Sequence, residues 1–314
     1  MSGVMQRTLA ILERLAAQVP GVPLATLADE LDIPRSAMHR LLMELAELGY
    51  VRQSRERGDY VLTTKLVSLG LNYLKASGAI DLCQPILDRL AEASGELVRL
   101  GVVDVDHITW VSLSQGSRSG LRYDPDQGID VKLSCTSSGH AWLATLPEDD
   151  AITLLTRQGL AATDSYGPNA PPTLAKVMAA VAKARKQGYA ITLETYAPGL
   201  NAISTAIMAP GRGAVGVLAI SGPAVRLTEA KMLQWSGDLM SAAADLGSIS
   251  VASPLLQRAY VPSSPPAPAP APPPPAKQLA GANQTAAKPA GKSDGKAAAR
   301  SAGKPIATTR KAAI

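Results

Sequence analysis

Phenylalanine is absent from the 314 residues, and histidine, tryptophan and cysteine occur only three, three and two times. Any core must therefore be aliphatic, built on Leu, Ile, Val and Ala. Cys83 and Cys135 lie 52 positions apart, and nothing near Met1 reads as a secretory h-region. They read as reduced thiols of a cytosolic protein rather than as a disulfide framework. Together with the scattered His39, His107 and His140 they show no metal-ligand spacing, so neither metal nor cofactor is expected. The phosphate-binding patterns G-x-x-x-x-G-K-[ST] and G-x-G-x-x-G are missing, as is the G-x-S-x-G elbow of hydrolases. Cys135, Ser137, Ser138 and His140 crowd together. Groups this close along a chain rarely present nucleophile and base correctly, so no enzyme is expected. No apolar run approaches the roughly 20 residues of a membrane span.

The charge is unevenly placed. Residues 259–314 hold eight Lys and Arg against Asp294, a net +7 in a chain whose total is +5, so residues 1–258 come to −2. Basic character thus belongs to the end of the chain. Nucleic-acid binding by the rest must rest on local geometry.

Length allows about two domains. Met5, Leu9, Leu12 and Ala16 form one helical stripe, Leu24, Leu27, Ala28 and Leu31 a second, and Met38, Leu41, Leu42, Leu45 and Leu48 a third. Pro34 suits the first turn of the third helix and Gly49 its C-terminal cap. Two short strands, Tyr50–Gln53 and Asp59–Leu62, flank an Arg- and Gly-rich turn. A tight connection, apolar inner faces and a polar leading end on the last helix are the requirements of a helix-turn-helix. Arg35, Ser36, His39 and Arg40 supply that end. Arg can read guanine with two bonds, and Ser and His can meet phosphates or base edges. The hairpin, with Arg52, Arg55 and Arg57, makes it a winged variant. The competing reading is a structural three-helix module with solvated charges, since residues 1–78 carry nine basic and eight acidic groups.

A linking helix is expected from Thr63 to Ala76 and another from Leu82 to Ala93. Strand-like runs follow over ELVRLGVVD, HITWVSLSQG and LRYDPDQGIDVKLS, helices over Ser137–Leu146 and Leu174–Gln187, then strands AITLETY, AISTAIM and AVGVLAIS. A closing helix runs from Thr228 to about Leu246. This order predicts an α+β domain, an antiparallel sheet with helices packed on it. Nine prolines between 262 and 275 predict polyproline II. The Ala/Lys-rich remainder has little to bury and should be disordered. Residues 277–311 either add nonspecific, salt-dependent DNA affinity or merely solubilise.

Taken in order, RTLAILERLA, LATLADELDIPRSAMHRLLMELAELGYV and GDYVLTTKLVSLG resemble the N-terminal domain of the IclR-type bacterial transcriptional regulators. CTSSGHAWLATLPEDD, GYAITLETYAPGLNAISTAIM and GVLAISGPAVRLT are similar to that family's effector-binding domain. The resemblance covers about residues 4–247 and implies a winged helix-turn-helix over 1–62, a linker helix over 63–78 and a GAF/PAS-like domain over 79–250, with a tail from 251. It implies a cytoplasmic homodimer or homotetramer on palindromic double-stranded DNA, with half-sites about 34 Å or a multiple apart, and operator affinity modulated by a small organic acid or aromatic metabolite. It places Ser137, Ser138 and Gly139 at a turn whose amides hold a carboxylate, with Thr192, Glu194, Asn201 and Ser221 opposite. Thr192 and Ala202 stand where some members carry acidic and cysteine side chains. His140 replaces a common lysine, and Ser134 a usual proline. These departures imply a different ligand. The alternative function is a ligand-independent architectural protein of the nucleoid.

Overall fold

In the computed structural model, which describes residues 3–54, 58–124, 131–161 and 165–257, the N-terminal module is organised by two helix ends. Helices α1 (Val4–Ala16), α2 (Leu24–Glu30) and α3 (Arg35–Glu47) precede strands β1 (Val51–Gln53) and β2 (Tyr60–Leu62). Helix α2 stops where Asp32 turns to φ +50°, letting the Ile33 amide reach back to the Ala28 carbonyl at 3.0 Å. Pro34 follows as the cap of α3. Helix α3 ends the same way: Gly49 at φ +77°, with Tyr50 N–H on Leu45 O (2.9 Å) and Gly49 N–H on Ala46 O (3.0 Å). This is a Schellman motif, in which a left-handed residue lets two orphan carbonyls find donors.

The two stops turn Leu27, Ala28, Met38, Leu41, Leu42 and Leu45 into one core, closed by Val22, Val51 and Tyr60. From α1 the residues that enter it are Ile11 and Leu15. Met5, Leu9 and Ala16 stay exposed, contrary to the stripe expected of them. Helix α1 carries two overlapping apolar stripes, and only the packing partners choose between them. Leu48 is likewise exposed. Helix α4 (Lys65–Ser77) is pinned at its start by Lys65, whose ammonium donates to Leu48 O at 2.5 Å and lies 4.5 Å from the Tyr50 ring centroid.

Beyond it, α5 (Ala79–Ser94), β3 (Leu97–Asp104), β4 (His107–Gln115), α6 (Ser137–Leu143), α7 (Glu148–Gln158), α8 (Leu174–Gln187), β5 (Ala190–Leu193), β6 (Leu200–Ala209), β7 (Gly213–Pro223) and α9 (Glu229–Ile249) build an α+β domain. The strands form one antiparallel sheet in the order β4-β3-β7-β6-β5. Side chains alternate across it. Val98, Leu100, Leu218 and Ile220 face α5 and α9, while Val103, Ile108 and Val217 face α6, α7 and α8.

Three expectations are corrected. The stretch 121–134 is not a strand where it is described; 125–130 lie outside the described residues. Two of its backbone groups go to the Gln158 side chain instead, while Val131 N–H makes a single long contact of 3.4 Å with Ile108 O. Gln158 takes the Leu133 amide on Oε1 and gives Nε2–H to Val131 O, each at 2.8 Å. Helix α7 was not foreseen, although Pro147 and the acidic run Glu148–Asp150 mark its start. Residues 251–257, assigned to the tail, instead belong to the fold. Leu255 and Leu256 are buried against α5 and α9, and Ser253 Oγ donates to Ser77 O at 2.8 Å. The apolar pair outweighs the proline beside it. The tail from 258 lies outside the described residues. Among the described residues no helix is long and apolar enough to cross a membrane.

Candidate functional site

On the α6 side, the sheet changes from apolar to polar at the end nearest Leu97. There Arg99 from β3, Thr192 from β5 and Ser221 from β7 line a cavity of about 280 Å³, with Ser137 and Ser138 of α6 across from them. Thr136 caps α6, its hydroxyl accepting from Gly139 N–H at 3.0 Å and donating to Lys132 O at 2.8 Å. Ser137 and Ser138 both hydrogen-bond Ser204 of β6, at 2.7 and 3.0 Å. The helix start is therefore locked to the sheet before any ligand arrives.

Four of the seven residues expected at a ligand site, Ser137, Ser138, Thr192 and Ser221, line this cavity. The other three are not among its lining residues. Gly139 is fixed against the preceding turn, where an added Cβ would come within 2.4 Å of Leu133 O. Glu194 sits at φ +50°; its carboxylate accepts from Gly199 N–H at 2.8 Å and its own amide donates to Asn201 Oδ1 at 3.1 Å. Asn201 spends its amide nitrogen on Leu227 O at 2.9 Å. These residues shape the strand ends behind the wall.

The group that dominates the cavity was not anticipated. Arg99 is 8% exposed, its guanidinium stacks 3.8 Å from the Trp110 ring centroid, and its Nε has no hydrogen-bond partner. It forms no salt bridge among the described residues. Burial pushes its pKa down to about 10, so it remains cationic at neutral pH. An Arg within the apolar run ELVRLGVVD of a strand covered on both faces was the available signal. Lys132, Tyr123 and Tyr196 also line the cavity and were missed. The lysine donates to Gln158 O at 3.1 Å, and burial lowers its pKa.

His140 and Cys135 lie just behind this wall. His140 is 2% exposed and its Nε2 pairs with Ser134 O at 3.0 Å. Burial holds its pKa below the ordinary histidine value, so the folded chain carries it neutral. The unfolded chain binds that proton first as pH falls, so this group's contribution to stability is present above about pH 6.5 and lost below it, with a slope approaching about 1.4 kcal/mol per pH unit. Denaturant titrations at pH 7.5 and 5.5 should show this loss, and a His140→Gln chain should show less of it. Burial also pushes Cys135 up to about 12, so its thiol stays protonated.

The N-terminal face differs in character. Arg35, Ser36, His39 and Arg40 are all exposed on α3, away from buried Met38, Leu41 and Leu42. Arg35 lies 3.8 Å from Asp29 and Arg40 lies 4.0 Å from Glu44, with both pairs largely in solvent. Such pairs are worth little and yield readily to a phosphate. Arg52 is exposed on β1. Arg55 and Arg57 lie outside the described residues.

Comparison with known proteins agrees with both halves. The IclR helix-turn-helix domain matches residues 4–55, and the bacterial transcriptional regulator IclR C-terminal domain matches 71–249. The acetate operon repressor of Salmonella typhimurium is 30% identical over 77% of this chain and 88% of its own length. A crystal structure of an IclR-type regulator from Silicibacter superposes with TM-score 0.67 at 21% identity, covering 84% of this chain and all of that one. An IclR homologue from Microbacterium hydrocarbonoxydans, crystallised with 4-hydroxybenzoate, superposes with TM-score 0.62 at 19% identity, over 78% and 98% of the two chains. With a helix-turn-helix at one end and a matched ligand-domain fold at the other, the chain belongs to the IclR family of bacterial transcriptional regulators, DNA-binding proteins with a C-terminal effector-binding domain.

Proposed function

We propose that this regulator binds a palindromic operator as a cytoplasmic homodimer or homotetramer through Arg35, Ser36, His39 and Arg40, with the wing arginines on the neighbouring backbone. Its affinity is set by a small carboxylate held in the cavity by Arg99, with Ser137, Ser138, Thr192 and Ser221 orienting it. The recognition module spans 1–62, the linker 63–78 and the effector domain 79 to at least 257. The observation that carries the ligand reading is the buried Arg99 charge. A buried cation with no acid beside it among the described residues is costly, and a carboxylate accepting from its planar fork offsets that cost. The relative bound to 4-hydroxybenzoate supports the same ligand class. A protonated Cys135 and a histidine committed to Ser134 O support binding without turnover.

Linkage requires ligand and operator to alter each other's affinity by the same factor. Titration of the chain against its upstream promoter fragment and a scrambled duplex tests the first half. An Arg35→Ala/Arg40→Ala chain should bind the promoter at least about tenfold more weakly, at about 1–3 kcal/mol per base-reading Arg. Equal retention on both duplexes would leave an architectural protein instead. For the second half, a benzoate-series thermal shift should vanish in Arg99→Met. An unchanged shift would remove Arg99 from the site.

A further inference from the structure

We propose that the ligand is a dianion, a small dicarboxylate with one carboxylate on Arg99 and the other on Lys132. This rests on reading the cavity as the effector site. Its support is the charge inventory of the wall. Two cationic side chains, Arg99 and Lys132, line one cavity. The only acid among the described lining residues is Asp124, and it is already matched by Arg122 at 2.7 Å, in a pair that is more than half exposed. Cys135 lies close enough to Lys132 to influence it, but its buried thiol carries no charge at neutral pH. His140 is neutral and turned to Ser134 O. Glu194 is held by the Gly199 amide and is not part of the wall.

The wall therefore presents two positive charges that no described acid balances. Neither cation is saturated. Arg99 Nε is without a partner, and among the described residues Lys132 has a single acceptor, the Gln158 carbonyl, for three donors. Burial makes the Arg99 charge unfavourable and, less strongly, that of half-buried Lys132, and an entering anion offsets both. A singly charged ligand would neutralise one and leave the other. At about 280 Å³ the space lies at the small end of ligand pockets, which suits a short dicarboxylate. Hexanedioate, a flexible member of that class, serves as the probe.

The test is calorimetric titration of the full chain, at fixed ionic strength, with hexanedioate and with its monoamide, which matches it in shape but carries one charge. The dianion should bind at least tenfold tighter. In Lys132→Met that preference should fall to near unity while monoamide affinity stays within about twofold; in Lys132→Arg it should persist, which guards against loss of fold as the cause. Arg99→Met should weaken both. If both compounds bind equally to the wild-type chain, or if Lys132→Met leaves the preference intact, the dianion proposal is wrong and the effector site stands. Binding of benzoate alone has the same consequence. Failure of all three compounds to bind overturns the effector-site reading and this proposal with it.

Discussion

Gly139→Ala should lower the stability of the domain by about 3 kcal/mol and weaken binding of any carboxylate by an order of magnitude. The added Cβ would stand 2.4 Å from Leu133 O and 2.5 Å from Leu133 Cα. These are backbone atoms, so no rotamer change relieves the clash. Overpacking typically costs about 1–3 kcal/mol, and a contact this short against main chain belongs at the upper end. Nor can α6 simply retreat. It is tied down by the Ser204 bonds to Ser137 and Ser138, by His140 on Ser134 O, and by Thr195 Oγ1 on Cys135 O at 2.5 Å. Some of those bonds must stretch, and the two serines that line the cavity move with them. For a domain of this size about 3 kcal/mol corresponds to a fall of roughly 6–12 °C in Tm. Thermal unfolding and a hexanedioate or benzoate titration of the same variant check both effects. A chain that melts like the wild type would show that the turn yields freely.

The second large effect concerns Glu96, whose side chain is 4% exposed. Arg226 meets it with two bonds, Nε on Oε1 at 2.5 Å and Nη2 on Oε2 at 2.8 Å, and uses Nη1 to donate to Leu121 O at 2.8 Å. The pair thus joins β3, the end of β7 and the segment leading to Tyr123 and Asp124 on the cavity wall. Arg226→Met strands a buried carboxylate, and stability should fall by about 3 kcal/mol or more. Replacing both partners, Glu96→Leu with Arg226→Met, should restore most of that stability, because two apolar groups need no counter-charge. The double variant should still bind ligand poorly, since the anchor on Leu121 O is gone. Recovery of ligand binding along with stability would show that Arg226 holds the fold and not the wall. Urea titrations of the three chains, paired with ligand titration, separate these outcomes.

The two kinds of feature differ in how far chain order alone reveals them. Asp32-Ile33-Pro34 and Gly49 announce two helix ends because a left-handed residue and a proline act within one turn of themselves. The exposed Arg35, Ser36, His39 and Arg40 follow from the same helix phase. Thr136 and Ser137 likewise announce the start of α6. Helix α1 shows the limit. Its apolar residues fill two stripes, and whether Leu9 or Ile11 turns inward depends on what α2, α3 and β2 place opposite. The described part of segment 121–134 fails for a similar reason: a strand needs a ladder of backbone partners, and here the Gln158 side chain takes the bonds of Val131 O and Leu133 N–H.

Arg99 is the sharper case. Inside ELVRLGVVD it is one charge in an apolar strand, and nothing local distinguishes a residue at a sheet margin from one aimed into a cavity. The sequence by itself determined most of the order of elements, α7 and the segment 121–134 excepted, together with the ends of α2 and α3 and the polar leading face of α3, because each depends on neighbours a few residues apart. Only the tertiary structure decided that Arg99, Lys132 and Ser221 share one wall, and that Glu194 and Asn201 stand behind it. Electrostatic cost and ligand shape depend on distances between strands and helices remote along the chain, and those distances exist only once the sheet is closed on both faces.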